Sequence, residues 1–170
     1  MVFNQLVPEP IDKITMLSDF HYFHADVPGM EYAAKIATEA RKEAGIDGKE
    51  WLKEVKRLND EKISIQSVKK EIQYFFINNG CICGISDEPM CEIALDIRSK
   101  AKNQYIFFGG YMNGYEGYLA SAEEYDKGGY EVLWSNLIYF KYFNRVMSFN
   151  RDTAGRLADI TAQKCKRLLK

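Results

Sequence analysis

The sequence predicts a mixed α/β fold: a sheet containing a β-hairpin near residues 63–85, flanked by about four helices. Three observations predict it. Between 62 and 77 the apolar residues move towards alternation, Ile63 and Ile65, then Ile72, Tyr74 and Phe76, which is the period of a half-buried strand. Asn78-Asn79-Gly80 tolerates positive φ and reads as a hairpin turn, with a return strand over 81–85. On both sides of this hairpin, apolar residues recur at helical spacing.

In chain order, Pro8 and Pro10 make residues 1–10 irregular, and 11–17 reads as a short strand. His21 and His24 lie three apart, a spacing that meets on a helix face and can bind metal, but no third ligand of the right spacing follows, Asp26 being only one candidate. They read as two partly exposed histidines in an aromatic loop. Pro28-Gly29 opens a helix over 30–44 with an alanine stripe, and Gly45 stops it. A second helix over 49–58 carries Trp51, Leu52, Val55 and Leu58 on one stripe. After the hairpin, Ser86-Asp87-Glu88-Pro89 reads as the start of a third helix, with Glu88 in its acidic first turn. Met90, Ile93, Ala94, Ile97 and Ala101 form its buried face. A strand over 104–108 follows, then one helical turn over 121–126. The aromatic segment 132–149 has no clean period and is left unassigned; it is either core or a surface to be covered. The last helix spans 151–168, with basic residues gathered at its C-terminal end.

The 170 residues, 46% of them hydrophobic, suit one domain or one lobe of a larger one. A net charge of −1 leaves no electrostatic footprint for nucleic acid and no polybasic membrane patch. The first residues lack a basic and then apolar leader, so a cytoplasmic chain is expected. Cys81, Cys83, Cys91 and Cys165 lack metal-knuckle spacing and read as reduced, mostly buried small hydrophobes.

Chemistry concentrates in Gly109-Gly110-Tyr111-Met112-Asn113-Gly114-Tyr115-Glu116-Gly117-Tyr118, running on to Gly128-Gly129-Tyr130-Glu131. This stretch holds six of the chain's 12 glycines. Glycines free the backbone, and each tyrosine brings a rigid ring with one phenolic oxygen that donates, accepts or binds a metal. There is no phosphate-loop lysine step, and two early histidines cannot support a Ser/His/Asp order.

The order Asn113-Gly114-Tyr115-Glu116-Gly117-Tyr118-Leu119, Glu123-Glu124-Tyr125, Gly128-Gly129-Tyr130-Glu131 resembles a segment of the neutral/alkaline ceramidase family. Cys83-Gly84-Ile85-Ser86-Asp87-Glu88-Pro89 is similar to that family's Pro-Gly-Glu turn, with Ser86-Asp87 in place of Pro-Gly. The likeness covers residues 62–170, and 31–58 more loosely. It implies one lobe of a catalytic domain of a zinc amidase that cleaves the N-acyl bond of ceramide. In that family two histidines, a glutamate and a tyrosine hold the zinc. Carried over, Glu88 is the glutamate ligand. Tyr118 or Tyr115 is the tyrosine ligand, with Tyr118 preferred. Tyr130 is a catalytic tyrosine that holds the substrate or the tetrahedral intermediate. Asn113, Gly114 and Gly117 shape the loop. The family's zinc histidines lie upstream of everything matched here. The resemblance therefore implies a missing N-terminal half in the same or another chain, no zinc held and no N-acyl amide substrate cleaved by this chain alone, and a possible homodimer. The competing expectation is a non-catalytic module that docks through residues 134–149.

Overall fold

The computed structural model describes residues 7–169. The expected irregular N-terminal segment lies partly outside these residues; from 7 to 13 the chain has no regular structure. The first strand, β1 (Ile14–Asp26), is longer than expected and runs straight through the two histidines. It pairs antiparallel with β2 (Ile65–Ile77) along its full length, from Ile14 opposite Ile77 to Asp26 opposite Ile65. The residues read as an aromatic loop are therefore strand. His21 shares the inward face with Phe23 and Ala25, while His24 lies on the other face. An odd separation on a strand puts side chains on opposite sides, so the pair cannot meet on one metal.

Asn78, at φ 49°, makes the turn into β3 (Gly80–Ile85), as the Asn-Asn-Gly signal required. Beyond β3 the expected helix start is replaced by a two-residue strand, β4 (Glu88–Pro89), and the helix α3 begins only at Cys91 (Cys91–Ala101). α3 crosses back to β5 (Ile106–Gly109), which pairs parallel with β3. The main sheet is thus ordered β1-β2-β3-β5. After the tyrosine loop, β6 (Tyr118–Leu119) pairs parallel with β4 in a separate small sheet.

α1 (Met30–Ala44) and α2 (Lys49–Asp60) form as the alanine and Trp51 stripes predict, and Gly45 ends α1 in the left-handed conformation at φ 69°. α4 (Ala122–Tyr125) is the expected single turn, with the Ser121 hydroxyl accepting from the Glu124 N–H at 3.2 Å. The unassigned segment is a π-helical turn (Tyr130–Trp134) leading into α5 (Ser135–Phe143), then an extended return. α6 (Thr153–Leu168) closes the chain.

Two cores result. The inner face of the sheet packs on α3 and α6 through Phe23, Ile72, Tyr74, Ile93, Ile97 and Leu157. A second core joins α1 and α2 to α5 through Ile36, Trp51, Val55, Leu137 and Phe140, and the Trp51 indole donates to the Val146 carbonyl at 2.7 Å. Leu137, Phe140, Phe143, Val146, Met147 and Phe149 are all buried. Most of the segment's large apolar side chains are therefore core, and Ile138 and Tyr142 alone are exposed, which is less than the docking surface that the competing expectation needs. Its apolar residues are buried on more than one side, against α1 and α2 and against the tyrosine loop, and that blurs the helical period. Apolar side chains are exposed elsewhere, on the outer face of the sheet. There Met16, Phe75, Ile82 and Phe107 form one row across all four strands.

Candidate functional site

The loop between β5 and β6 folds back along the turn that follows β3. Met112 N donates to Ile85 O at 3.1 Å, Tyr111 N to Asp87 O at 3.2 Å, Glu116 N to Ser86 O at 3.2 Å and Glu88 N to Gly117 O at 2.8 Å. Two glycines permit this close approach. A Cβ on Gly110 would stand 2.3 Å from the Asp87 carbonyl, and one on Gly117 would stand 2.7 Å from the Phe143 ring. Gly117 also takes φ 96°, which side chains rarely adopt. Asn113 turns the loop at φ 60°, and its amide lies 3.4 Å from the Glu71 carboxylate. Gly114 at φ 157° acts through backbone freedom, since a Cβ there would meet only Ser86, at 3.9 Å.

The stitching brings together the residues singled out from sequence. Glu88 and Tyr118 are direct register partners in the β4–β6 pair, so their side chains leave on one side. The Tyr118 ring meets Tyr130 edge-on at 6.0 Å, and Tyr115 packs edge-on against Phe143 at 5.9 Å. Tyr115, Glu88 and Tyr130 all act on the Tyr118 phenol. The expected placement of Glu88 in a helical first turn is wrong. Its N–H is spent on Gly117 across the small sheet, and Met90 holds the N-cap position of α3.

The sequence reading assigned no role to two further phenols. The Tyr111 hydroxyl donates to the Glu88 carboxylate, and its ring stacks on Tyr115 at 5.5 Å. Tyr139, on α5, lies beside Tyr130 and packs on the Phe143 ring at 5.6 Å. Tyr111 stood in the quoted motif; Tyr139 lay in the segment without period and gave no signal.

Every perturbed phenol here is pushed up. The hydrogen bond to Glu88 raises Tyr111 to about 12. Burial, then Tyr115 and the Glu88 charge, raise Tyr118; burial, then Tyr139 and Tyr115, raise Tyr130. At neutral pH these groups are hydrogen-bond donors grouped around one carboxylate.

A buried ion network lies beneath this cluster. Lys70 sits on the inward face of β2, fully buried, with Nζ 2.8 Å from Asp87 Oδ2 and 2.5 Å from Glu116 Oε2. Arg145 approaches Asp87 Oδ1 at 3.7 Å and stacks over the Phe149 ring at 4.3 Å. Two cations thus meet two carboxylates. Burial pushes the Asp87 carboxyl up, and Lys70 and Arg145 pull it back. Burial acts on Glu116 in the same sense, yet hydrogen bonds from Lys70 and Ser86 hold it below its ordinary value. The charge that Asp87 adds beside Glu88 is therefore internal and compensated. Arg145 also donates to Asn136 Oδ1 at 2.7 Å, Met147 O at 2.9 Å, Tyr118 O at 3.3 Å and Glu116 O at 3.4 Å. It thereby fixes the backbone on both sides of Gly117. Lys70 was legible in principle, since it shares parity with the inward Ile72, Tyr74 and Phe76. Arg145 was not.

The site offers one carboxylate and several phenols as donors. Among the described residues no histidine, cysteine, aspartate or glutamate joins Glu88 in a set of three that could hold a metal ion. A catalytic zinc takes three protein ligands, and a phenol binds a cation only as phenolate, which burial here opposes. Among the described residues, the donors of this carboxylate–phenol cluster do not by themselves fit zinc.

Fold and site together define a mixed α/β protein that presents a carboxylate–phenol cluster stitched across two loops. The chain is similar in structure to the crystal structure of neutral ceramidase from Pseudomonas aeruginosa, with a TM-score of 0.43, 18% identity, and coverage of 62% of this chain and 15% of that one. No protein-family model and no curated protein matches the chain.

Proposed function

We propose that this chain is one lobe of a ceramidase-like, zinc-dependent hydrolase that cleaves an N-acyl amide bond, and that it is inactive alone. Glu88 and Tyr118 form half of the metal site, and the remaining ligands come from a segment outside these residues or from another chain. One observation carries the reading: Glu88 and Tyr118, 30 positions apart in sequence, are brought side by side on one face by the β4–β6 pairing. The other residues have definable work. Tyr130, kept protonated, donates a hydrogen bond to the acyl oxygen as negative charge develops on it. Tyr111 occupies the Glu88 carboxylate in this state and must yield when Glu88 is engaged. Zinc, when bound, supplies a polarised carbonyl or an activated water. The ion network of Lys70, Asp87, Glu116 and Arg145 holds the two loops in register.

The test is N-acyl amide hydrolysis by the native gene product, with and without added zinc, wild type against Glu88→Gln. Zinc-dependent turnover that disappears in the variant supports the reading. Zinc-dependent turnover that survives it, or turnover by the 170-residue chain alone, refutes it.

A further inference from the structure

At the opposite end of β3 from Glu88, three thiols converge. Cys81 and Cys83, two apart on the strand, point to one face, and Cys165 descends from α6 onto them. All three are buried and free, and their sulphur atoms lie within 4.8 Å of one another. We propose that Cys81, Cys83 and Cys165 form a three-sulphur site for a soft cation, monovalent copper in preference to zinc.

The geometry is close to what such an ion needs. With metal–sulphur bonds of ~2.3 Å, three sulphurs around one ion form a triangle with edges of about 4 Å. The observed sulphurs, all within 4.8 Å of one another, are near that spacing. The surroundings already ask for an anion. Tyr74 is the register partner of Cys83, and Thr161 lies one helical turn before Cys165. Both side chains are at most 2% exposed, and Tyr74 Oη and Thr161 Oγ1 lie close enough to act on each other while making no well-formed hydrogen bond to any other group among the described residues. A neutral thiol is a weak acceptor, whereas a metal-bound thiolate accepts from a hydroxyl.

The thiols are closed to solvent, Cys165 being 0% exposed, but the surface is indented above them. A cleft of about 780 Å³ between the end of α3, the start of β5 and α6 includes Cys165 in its wall. The choice of ion follows from the ligands. The set of His, Cys, Asp and Glu donors gathered here stops at three sulphurs, whereas structural zinc takes four ligands. Soft thiolates suit monovalent copper as well as zinc, so the choice between them rests on the number of ligands. Binding releases thiol protons to solvent and transfers no electron. The site does not rest on the hydrolase reading and shares no residue with it.

The experiment is an anaerobic titration of the full reduced chain with Cu(I) against a coloured copper chelator, followed by X-ray absorption at the copper edge. One retained equivalent with three sulphur ligands is expected. Cys91→Ser, which removes the exposed fourth cysteine, should retain it, and Cys165→Ser should weaken retention more than about tenfold. A chain that gives up all its copper to the chelator overturns the proposal. So does retention that survives Cys165→Ser or is lost in Cys91→Ser. Nitrogen or oxygen ligands, or tighter binding of zinc in a parallel titration, also overturn it. Should Cys165→Ser fail to fold, the sulphur count on the wild-type chain decides.

Discussion

Lys70→Met should be among the most destabilising single changes in this protein. Methionine retains the volume and apolar stem of lysine on the inward face of β2 but removes the ammonium. Asp87, fully buried, then keeps only Arg145 at 3.7 Å, and Glu116 loses a partner at 2.5 Å. Breaking a buried pair by removing one partner costs about 3–5 kcal/mol, because the remaining charge is stranded. Glu116 is 40% exposed and can turn to water, so most of the loss belongs to Asp87. For a chain of this length that corresponds to a fall of about 6–20 °C in Tm. The loss should depend on pH. Burial already raises the Asp87 carboxyl, and Lys70 is the main influence lowering it, so the variant raises it further. A carboxyl whose folded pKa lies above its unfolded one contributes stability that is full below the unfolded pKa and lost as pH rises through the folded pKa. Lys70→Met should therefore lie closer to wild type in acid than at neutral pH. Urea denaturation at several pH values measures this, and Lys70→Met with Asp87→Asn should recover most of the loss. A penalty below about 1 kcal/mol at neutral pH would refute the buried network, since that is the scale of an exposed pair. A double variant no better than the single would refute it as well.

Three further predictions bear on the site. Glu88→Gln removes the partner that raises Tyr111, so in an ultraviolet pH titration that phenol should ionise below about 12, towards the ordinary ~10; an unchanged titration would mean that the two are not in contact. Gly117→Ala forces a side chain into φ 96° and into the Phe143 ring, so it should cost more than about 1 kcal/mol in urea denaturation and alter the near-ultraviolet dichroism of the tyrosine cluster; a neutral effect would show that the loop is free to move. In the native gene product Tyr118→Phe should reduce amide hydrolysis more than Tyr125→Phe, because Tyr118 faces Glu88 whereas Tyr125 ends the short α4; equal losses would remove Tyr118 from the site.

Much of the architecture is written in local signals. Pro28-Gly29 and Gly45 bracket α1, the turn at Asn78 sets the β2–β3 register, and the stripe through Leu157, Ala158, Thr161 and Cys165 defines α6. These hold because each depends on backbone preferences or periodicity within a few residues. Glu88, Tyr115, Tyr118 and Tyr130 were also legible as chemistry-bearing residues, through their types and order. Their meeting was not. Glu88 reads as a helix first turn because proline follows it, but the partner of its N–H is the carbonyl of Gly117, which no window along the chain connects to it. The same holds for Lys70 beside Glu116, and for Cys165 above Cys81 and Cys83. Strand β1 was cut short because Phe20, Tyr22 and Phe23 blur the alternation, while the full-length pairing with β2 overrides it. The sequence by itself determined the elements, their caps and the chemical types at the site. Tertiary structure alone decided which carboxylate meets which phenol, which charges are buried and which thiols converge, because those pairings are set by long-range strand register and packing.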